Sequence, residues 1–203
     1  MSARPFDDAE AAEAARLMAD YCDGQAKAFH ALYARVAPRL LGYLTNLAGD
    51  RPTAEDLLQL TFMKLHEARS TYVRGANPVP WIYTIAHRTC LDELRRRKRA
   101  RVRLSPKDGE VPEVAVGLAG ASVESSEAAD QESAVAVAVE ALAKLPDNQR
   151  EALVLTKVEG RSHAEAAALS GTPVGAIKLR AHRGYVALRK MLGKGEDSLG
   201  GDT

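Results

Sequence analysis

The sequence predicts an all-α protein made of two small helical domains joined by a flexible acidic linker, with a helix-turn-helix in the C-terminal domain. Three observations carry this prediction. Apolar residues recur at three- and four-residue spacing through most of the chain, the period of helices with one buried stripe. Ala, Leu, Glu and Arg abound while aromatic residues make up only 5%, and unbranched side chains lose little rotamer freedom in a helix. The period lapses between Ser105 and about Ser133, where Pro, Gly, Ser and acidic residues collect, the composition of a tether. A length of 203 residues accommodates two such domains.

Taken in order, residues 1–21 form an N-terminal extension and 22–104 the first domain. In "FHALYARVAPRLLGYLTNLAGD", Phe29, Leu32, Tyr33, Val36, Leu40, Leu44 and Leu47 fall on one helical face. Gly49 and Pro52 break that helix. In "TAEDLLQLTFMKLHEA", Thr53 is placed to cap, and Glu55 and Asp56 occupy a first turn whose dipole favours carboxylates. Ala54, Leu57, Leu58, Thr61, Phe62 and Leu65 make the inward face. The loop "RSTYVRGANPVP" follows, and a third helix is expected from Trp81 to about Arg99. Residues 105–134 are assigned to the linker, becoming helical near its end. The second domain spans 135–192, with a flexible tail over 193–203. The alternation in "AVAVAV" permits a strand, but its flanks are helical, and Pro146 separates two helices.

The C-terminal stretch "SHAEAAALSGTPVGAIKLRAHRGYVALRKML" has the most specific grammar. Ser162 and Glu165 form a capping box, Gly171 suits a left-handed helix end, Thr172 is placed to cap the next helix and Pro173 fits its first turn. Ala166, Ala167 and Ala176 permit a close helix crossing. The second helix presents Lys178, Arg180 and Arg183 with His182 beside them. This spacing fits a helix-turn-helix whose second helix enters the major groove, or an ordinary helical hairpin with a solvated basic face.

Charge is segregated along a chain whose net charge is only +1. Seven of the nine residues from Arg95 to Arg103 are basic, residues 105–140 carry a net −7, and residues 141–192 a net +5. Such blocks point to patches with different partners. No apolar run approaches the roughly 20 residues of a membrane span. The N-terminus "MSARPFDDAEAAEAARLMAD" is acidic and lacks a signal core, so a cytoplasmic protein without membrane insertion is expected. Two cysteines, Cys22 and Cys90, make no disulfide framework. No nucleophile–base pair, phosphate loop or zinc spacing is visible, so no enzyme activity, metal or cofactor is expected. His87 and Cys90 lie one helical turn apart, but a packed pair accounts for them without further ligands nearby in sequence.

Both halves resemble one family. "LPDNQREALVLTKVEGRSHAEAAALSGTPVGAIKLRAHRGYVALR" resembles the promoter-binding domain of bacterial sigma factors. "AFHALYARVAPRLLGYL", "AEDLLQLTFMKLHE" and "PWIYTIAHRTCLDELRRRK" resemble the other obligatory sigma domain, in its order and spacing. With two such domains and a short linker, the chain is similar to an extracytoplasmic-function (ECF) sigma factor. The resemblance implies a protein that binds core RNA polymerase, directs it to promoters through −10 and −35 elements and aids DNA melting. It also implies inhibition by an anti-sigma factor, and a chain that is monomeric when free.

Residue roles follow by the same resemblance. Arg88, Arg95 and Arg99 share a helical arc with Thr84 and Asp92, and this stripe would face the −10 element. Tyr72, Arg74 and Asn77 in the preceding loop would stack on or hydrogen-bond an extruded base, and ordinary loop chemistry explains them equally well. "IAHR" places Arg88 where the family often has Asn. Arg offers only donors, so base readout there is expected to differ. Glu55, Asp56, Gln59 and Met63 would form the polymerase-binding surface, which meets the β′ clamp helices, with the β flap as the second polymerase contact. Thr172, Lys178, Arg180, His182 and Arg183 would serve the −35 element. Ala176 and Leu179 stand where the family commonly has Thr and Ser, which removes two polar contacts and shifts readout toward shape and phosphates. The acidic linker would run through the RNA exit channel or act as a plain tether. Two alternatives differ in class: a helix-turn-helix regulator that works without polymerase, and a sigma-like decoy that binds an anti-sigma protein.

Overall fold

The computed structural model describes residues 6–104 and 126–193, and these form eight α-helices and no strand. The first is α1 (Asp8–Cys22). It opens with a reciprocal capping box: the Asp7 carboxylate accepts from the Glu10 amide at 2.8 Å, and Glu10 accepts from the Asp7 amide at 3.0 Å. Although α1 precedes the boundary expected at residue 22, it buries Ala14, Leu17 and Met18 against α2 (Ala26–Ala48). Arg39 of α2 grips the Glu10 carboxylate with both terminal guanidinium nitrogens, at 2.8 and 3.1 Å, and lies over the Phe6 ring.

In α2 the expected stripe is buried at Leu32, Val36, Leu40, Leu44 and Leu47, while Phe29 is half-buried and Tyr33 reaches the surface. The helix ends on Gly49, which is left-handed at φ 92°. Pro52 does not break structure. It belongs to the first turn of α3 (Arg51–Ala68), where its missing N–H costs nothing. The cap of α3 is Asp50, not Thr53: the Asp50 carboxylate accepts from the Thr53 amide at 2.8 Å, and Thr53 itself is buried. A carboxylate satisfies both the open amide and the helix dipole, so it displaces a hydroxyl three residues later. All six inward residues expected in this helix are buried.

A 3₁₀ turn (Arg69–Thr71) and a loop lead to α4 (Pro78–Leu104), which is longer at both ends than the expected Trp81–Arg99. Its start is moved forward because Asn77 Oδ1 accepts from the Val79 amide at 2.9 Å, and prolines are tolerated in a first turn. Its far end is extended by the good helix formers of the basic run. The expected flexible linker lies, over 105–125, outside the described residues.

The C-terminal half begins with α5 (Ser126–Ala143), so "AVAVAV" is helical. Pro146 precedes α6 (Asp147–Leu153), which continues into a π-helical segment (Val154–Val158). Then come α7 (His163–Ser170) and α8 (Val174–Gly193). Ser162 and Glu165 form the expected capping box, and Gly171 is left-handed at φ 64°. Thr172 does not cap α8. The first turn bonds back to the Pro173 carbonyl, and the Thr172 hydroxyl instead accepts from Arg180 Nη1 at 3.2 Å. The crossing of α6 and α8 depends on Gly184, where a Cβ would lie 3.1 Å from the Gln149 carbonyl oxygen.

One contiguous set of buried residues runs through both halves, from Ala14 to Ala181. The halves meet where α2 packs on α5 and on the π-helical segment.

Candidate nucleic-acid interface

Three surface patches gather the residues singled out in the sequence. The first lies on α4. Arg88, Asp92, Arg95 and Arg99 are exposed and follow one another at helical spacing, while Tyr83, Ala86, His87 and Cys90 on the same helix are buried. Arg88 has no partner among the described residues. Arg95 reaches Asp92 only at 3.4 Å, and Arg99 donates to the Arg95 carbonyl at 3.3 Å, so both guanidinium groups remain available. The neighbouring charges are engaged differently. Glu93 accepts from Arg96 at 2.7 and 2.8 Å and from Arg97 at 2.9 Å, and Arg97 also donates to the Thr53 hydroxyl at 2.8 Å. The hydrogen bond from Arg96, aided by Arg97, holds the Glu93 carboxyl down to about 2. The basic run is thus sorted: Arg97 fastens α4 to Thr53 of α3, Arg96 is held along α4 by Glu93, and Arg88, Arg95 and Arg99 face outward without that tie.

The loop candidates are held by the protein itself. Tyr72 donates to the Ala76 carbonyl and stacks on Trp81 with ring centroids 5.8 Å apart. Arg74 pairs with Asp23 at 2.5 and 2.9 Å, and Asn77 caps α4. Between Tyr72 and Arg74, Val73 is 72% exposed, a residue not singled out from the sequence.

The second patch lies on α3. Glu55, Asp56, Gln59 and Met63 are all exposed, with Met63 at 58%. Glu55 pairs with Arg51 at 2.9 Å. Leu60, which the sequence reading did not select, is exposed beside them and lines a shallow groove with Asp56, Gln59, Met63 and Arg96. Leu60 falls outside the buried period of its own helix, and that made it detectable.

The third patch is on α8. Lys178, His182 and Arg183 are exposed, whereas Arg180 is half-buried and tied to Thr172. Ala176 is half-buried, but Leu179 is 50% exposed within the basic face. The −35 candidates therefore divide into three outward side chains, Lys178, His182 and Arg183, and a pair, Thr172 and Arg180, joined across the turn into α8.

His87 and Cys90 form no metal pair. Both His87 ring nitrogens are engaged, Nδ1 with the Tyr43 hydroxyl at 2.7 Å and Nε2 with Glu151 at 3.1 Å. Burial pushes the Cys90 thiol up to about 12, away from the thiolate a metal needs.

These patches sit on two known folds. Sigma-70 region 2 matches residues 32–100, and Sigma-70, region 4 matches residues 137–188. The chain belongs to the extracytoplasmic-function group of RNA polymerase sigma factors. It is 38% identical over 177 residues to RNA polymerase sigma factor CarQ of Myxococcus xanthus, covering 87% of this chain and 96% of that one. It is 31% identical to ECF RNA polymerase sigma factor SigF of Caulobacter vibrioides, covering 87% and 92%. Among solved structures it resembles the sigma factor RpoE in complex with the anti-sigma factor NepR from Bartonella quintana. There the TM-score is 0.62 and the identity 29%, over 82% of this chain and 98% of that one. CnrH in complex with the cytosolic domain of CnrY gives a TM-score of 0.59 at 25% identity, over 90% and 98%. Membership of this family makes the chain an initiation factor and not an enzyme. Among the described residues no helix is long and apolar enough to cross a membrane.

Proposed function

We propose that this chain binds core RNA polymerase through the exposed α3 face and directs it to promoters with two DNA-reading faces, one on α4 and one on α8. The observation that supports this best is the sorting of the basic run. Glu93 engages Arg96 and Arg97, which leaves Arg88, Arg95 and Arg99 outward on the half that matches region 2. Phosphate contact needs only charge and reach, and the three arginines offer both. Arg88, with donors only, would suit phosphate or guanine edges better than the Watson–Crick edge of a flipped adenine. Tyr72, Arg74 and Asn77 would shape the −10 loop, presenting Val73 at its tip. On α8, Lys178, His182 and Arg183 would contact the −35 element, with Arg180 and Thr172 holding the turn in register. Leu179 gives that face an apolar tooth suited to a thymine methyl group. Glu55, Asp56, Gln59 and Met63, joined by Leu60, would meet polymerase.

The working domains would run over 22–104 and 135–192, the chain would act in the cytoplasm as a monomer until it meets polymerase, and its inhibitor would be an anti-sigma protein. One structural relative is such a complex, the sigma factor RpoE with the anti-sigma factor NepR. Run-off transcription with purified core polymerase tests the reading. Promoter-specific transcripts are expected with this chain added and none without it. Absence of stimulation at every promoter of a genomic fragment library would overturn it. Specific footprints by the chain alone would favour a polymerase-independent regulator, and binding to an anti-sigma protein without binding to core would favour a decoy.

A further inference from the structure

We propose that the C-terminal end of α1 is the backing of the promoter-reading loop, and that Asp23 is a positioning residue that sets the turn carrying Val73. The inference rests on the assignment of the loop around Tyr72, Arg74 and Asn77 to the −10 element.

Three consecutive residues at the end of α1 each hold a different part of the segment that runs from the end of α3 into the loop. The Tyr21 hydroxyl hydrogen-bonds to His66 Nδ1 in the last turn of α3. The Cys22 thiol donates to the Arg69 carbonyl at 3.4 Å, at the start of the 3₁₀ turn. The Asp23 carboxylate accepts from both terminal nitrogens of Arg74 in the loop, at 2.5 and 2.9 Å. The chain from His66 to Arg74 is therefore strapped along one helix end at three points. That end is itself fixed, because the Tyr21 ring packs on Phe29 of α2 with centroids 5.0 Å apart and α1 buries Ala14, Leu17 and Met18. All of α1 precedes residue 32, where the match to Sigma-70 region 2 begins.

The Asp23–Arg74 pair is placed to serve the loop more than the helix. Asp23 is the C-cap of α1, whose last turn has no basic residue, so its carboxylate meets the negative end of the helix dipole. Both side chains are half-exposed or more, which leaves the pair little weight in global stability. Its two parallel hydrogen bonds give direction instead. Arg74 is the second residue of a β-turn that the Ala76 amide closes on the Val73 carbonyl at 3.1 Å. Gly75, at φ 81°, takes the left-handed third position that a type II turn requires. Holding the Arg74 guanidinium therefore orients the turn and, with it, the exposed Val73. The neighbouring polar side chains are spent within the loop, Tyr72 on the Ala76 carbonyl and Asn77 on the Val79 amide. The loop presents a preset apolar tip and not a free cation.

The alternative role for this pair has the opposite sign. If Arg74 touched a phosphate and Asp23 only neutralised it, removing Asp23 would strengthen DNA contact. If Asp23 positions the turn, removing it weakens promoter opening.

The test uses the full chain with core polymerase and four variants: Asp23→Ala, Arg74→Ala, the two combined, and the exchanged pair Asp23→Arg with Arg74→Asp. Permanganate reactivity of unpaired thymines follows promoter opening, and NMR follows hydrogen exchange of the Ala76 amide in the free chain. Each single variant should slow opening about tenfold, the loss expected when the competent loop falls to about a tenth of the population. The combined variant should be no slower than either single one, because both remove the same interaction. The exchanged pair should open promoters roughly threefold faster than either single variant. Denaturation midpoints and affinity for core should stay at their wild-type values, while the Ala76 amide exchanges faster in both single variants. Faster opening by Asp23→Ala, additive losses in the combined variant, an exchanged pair slower than the single variants, or an unchanged Ala76 amide would each overturn the proposal. A loosened Ala76 amide with unchanged opening would instead defeat the assignment of this loop to the −10 element.

Discussion

At the scale of single residues, the chain separates charges that look alike in sequence. Seven basic residues crowd into 95–103, yet Arg96 and Arg97 are committed to Glu93, and Arg95 and Arg99 are not. Two predictions belong here. Arg95→Ala or Arg99→Ala should each lower the salt dependence of open-complex formation by about 0.9 in the log–log slope, the value of one lost phosphate contact. Measured on the same promoter, Arg96→Ala should leave the slope unchanged. Leu179→Ser should alter which base is preferred at one −35 position while leaving the slope as it is, since it exchanges an apolar contact for a polar one and moves no charge. Selection from a promoter pool randomised across the −35 segment checks this, and an unchanged base preference would remove Leu179 from the reading face.

At the scale of elements, most of the fold was legible because its signals are local. All six inward residues of α3 follow from three- and four-residue spacing, and the start of α7 follows from Ser162 and Glu165. Ser162→Ala should lower the unfolding free energy by about 1 kcal/mol in chemical denaturation, the value of a lost N-cap. The misreadings have local causes too. Asp50 outcompetes Thr53 because a carboxylate serves both the amide and the dipole, and Thr172 is diverted by Arg180, eight residues on. In sequence the loop candidates Tyr72, Arg74 and Asn77 fit base contact and ordinary loop chemistry equally well. Their partners Trp81 and Asp23 come from other elements, and no periodicity announces such pairings.

At the scale of the whole molecule, the least legible feature is the union of the halves. Tyr43, His87 and Glu151 are separated by 44 and 64 residues, and only tertiary structure brings them together. Glu159 adds a pH dependence with a definite sign. Burial raises its carboxyl from 4.5 to about 7, so the folded state holds a proton that the unfolded state releases. The associated stability is fully present below about 4.5 and is lost as pH rises through about 7. Glu159→Gln removes that dependence. Its unfolding free energy should exceed that of the wild type by at most about 3 kcal/mol above neutrality, with the difference vanishing near pH 4. Equal stability differences at pH 4 and pH 8 would show that Glu159 is hydrated in the folded chain.

The notch at Gly49, where a Cβ would lie 2.8 Å from that of Ala143, bears on protein engineering. Sigma factors with paired domains invite modular recombination, in which one factor's −35 reader is grafted to another's −10 reader. Here the graft junction would not lie in the tether alone. The incoming module would have to supply a small residue at the position of Ala143 and an acceptor at that of Glu151, and the recipient would have to keep Gly49 and His87. A chimera chosen only for its DNA-reading helices would carry a mismatched seam.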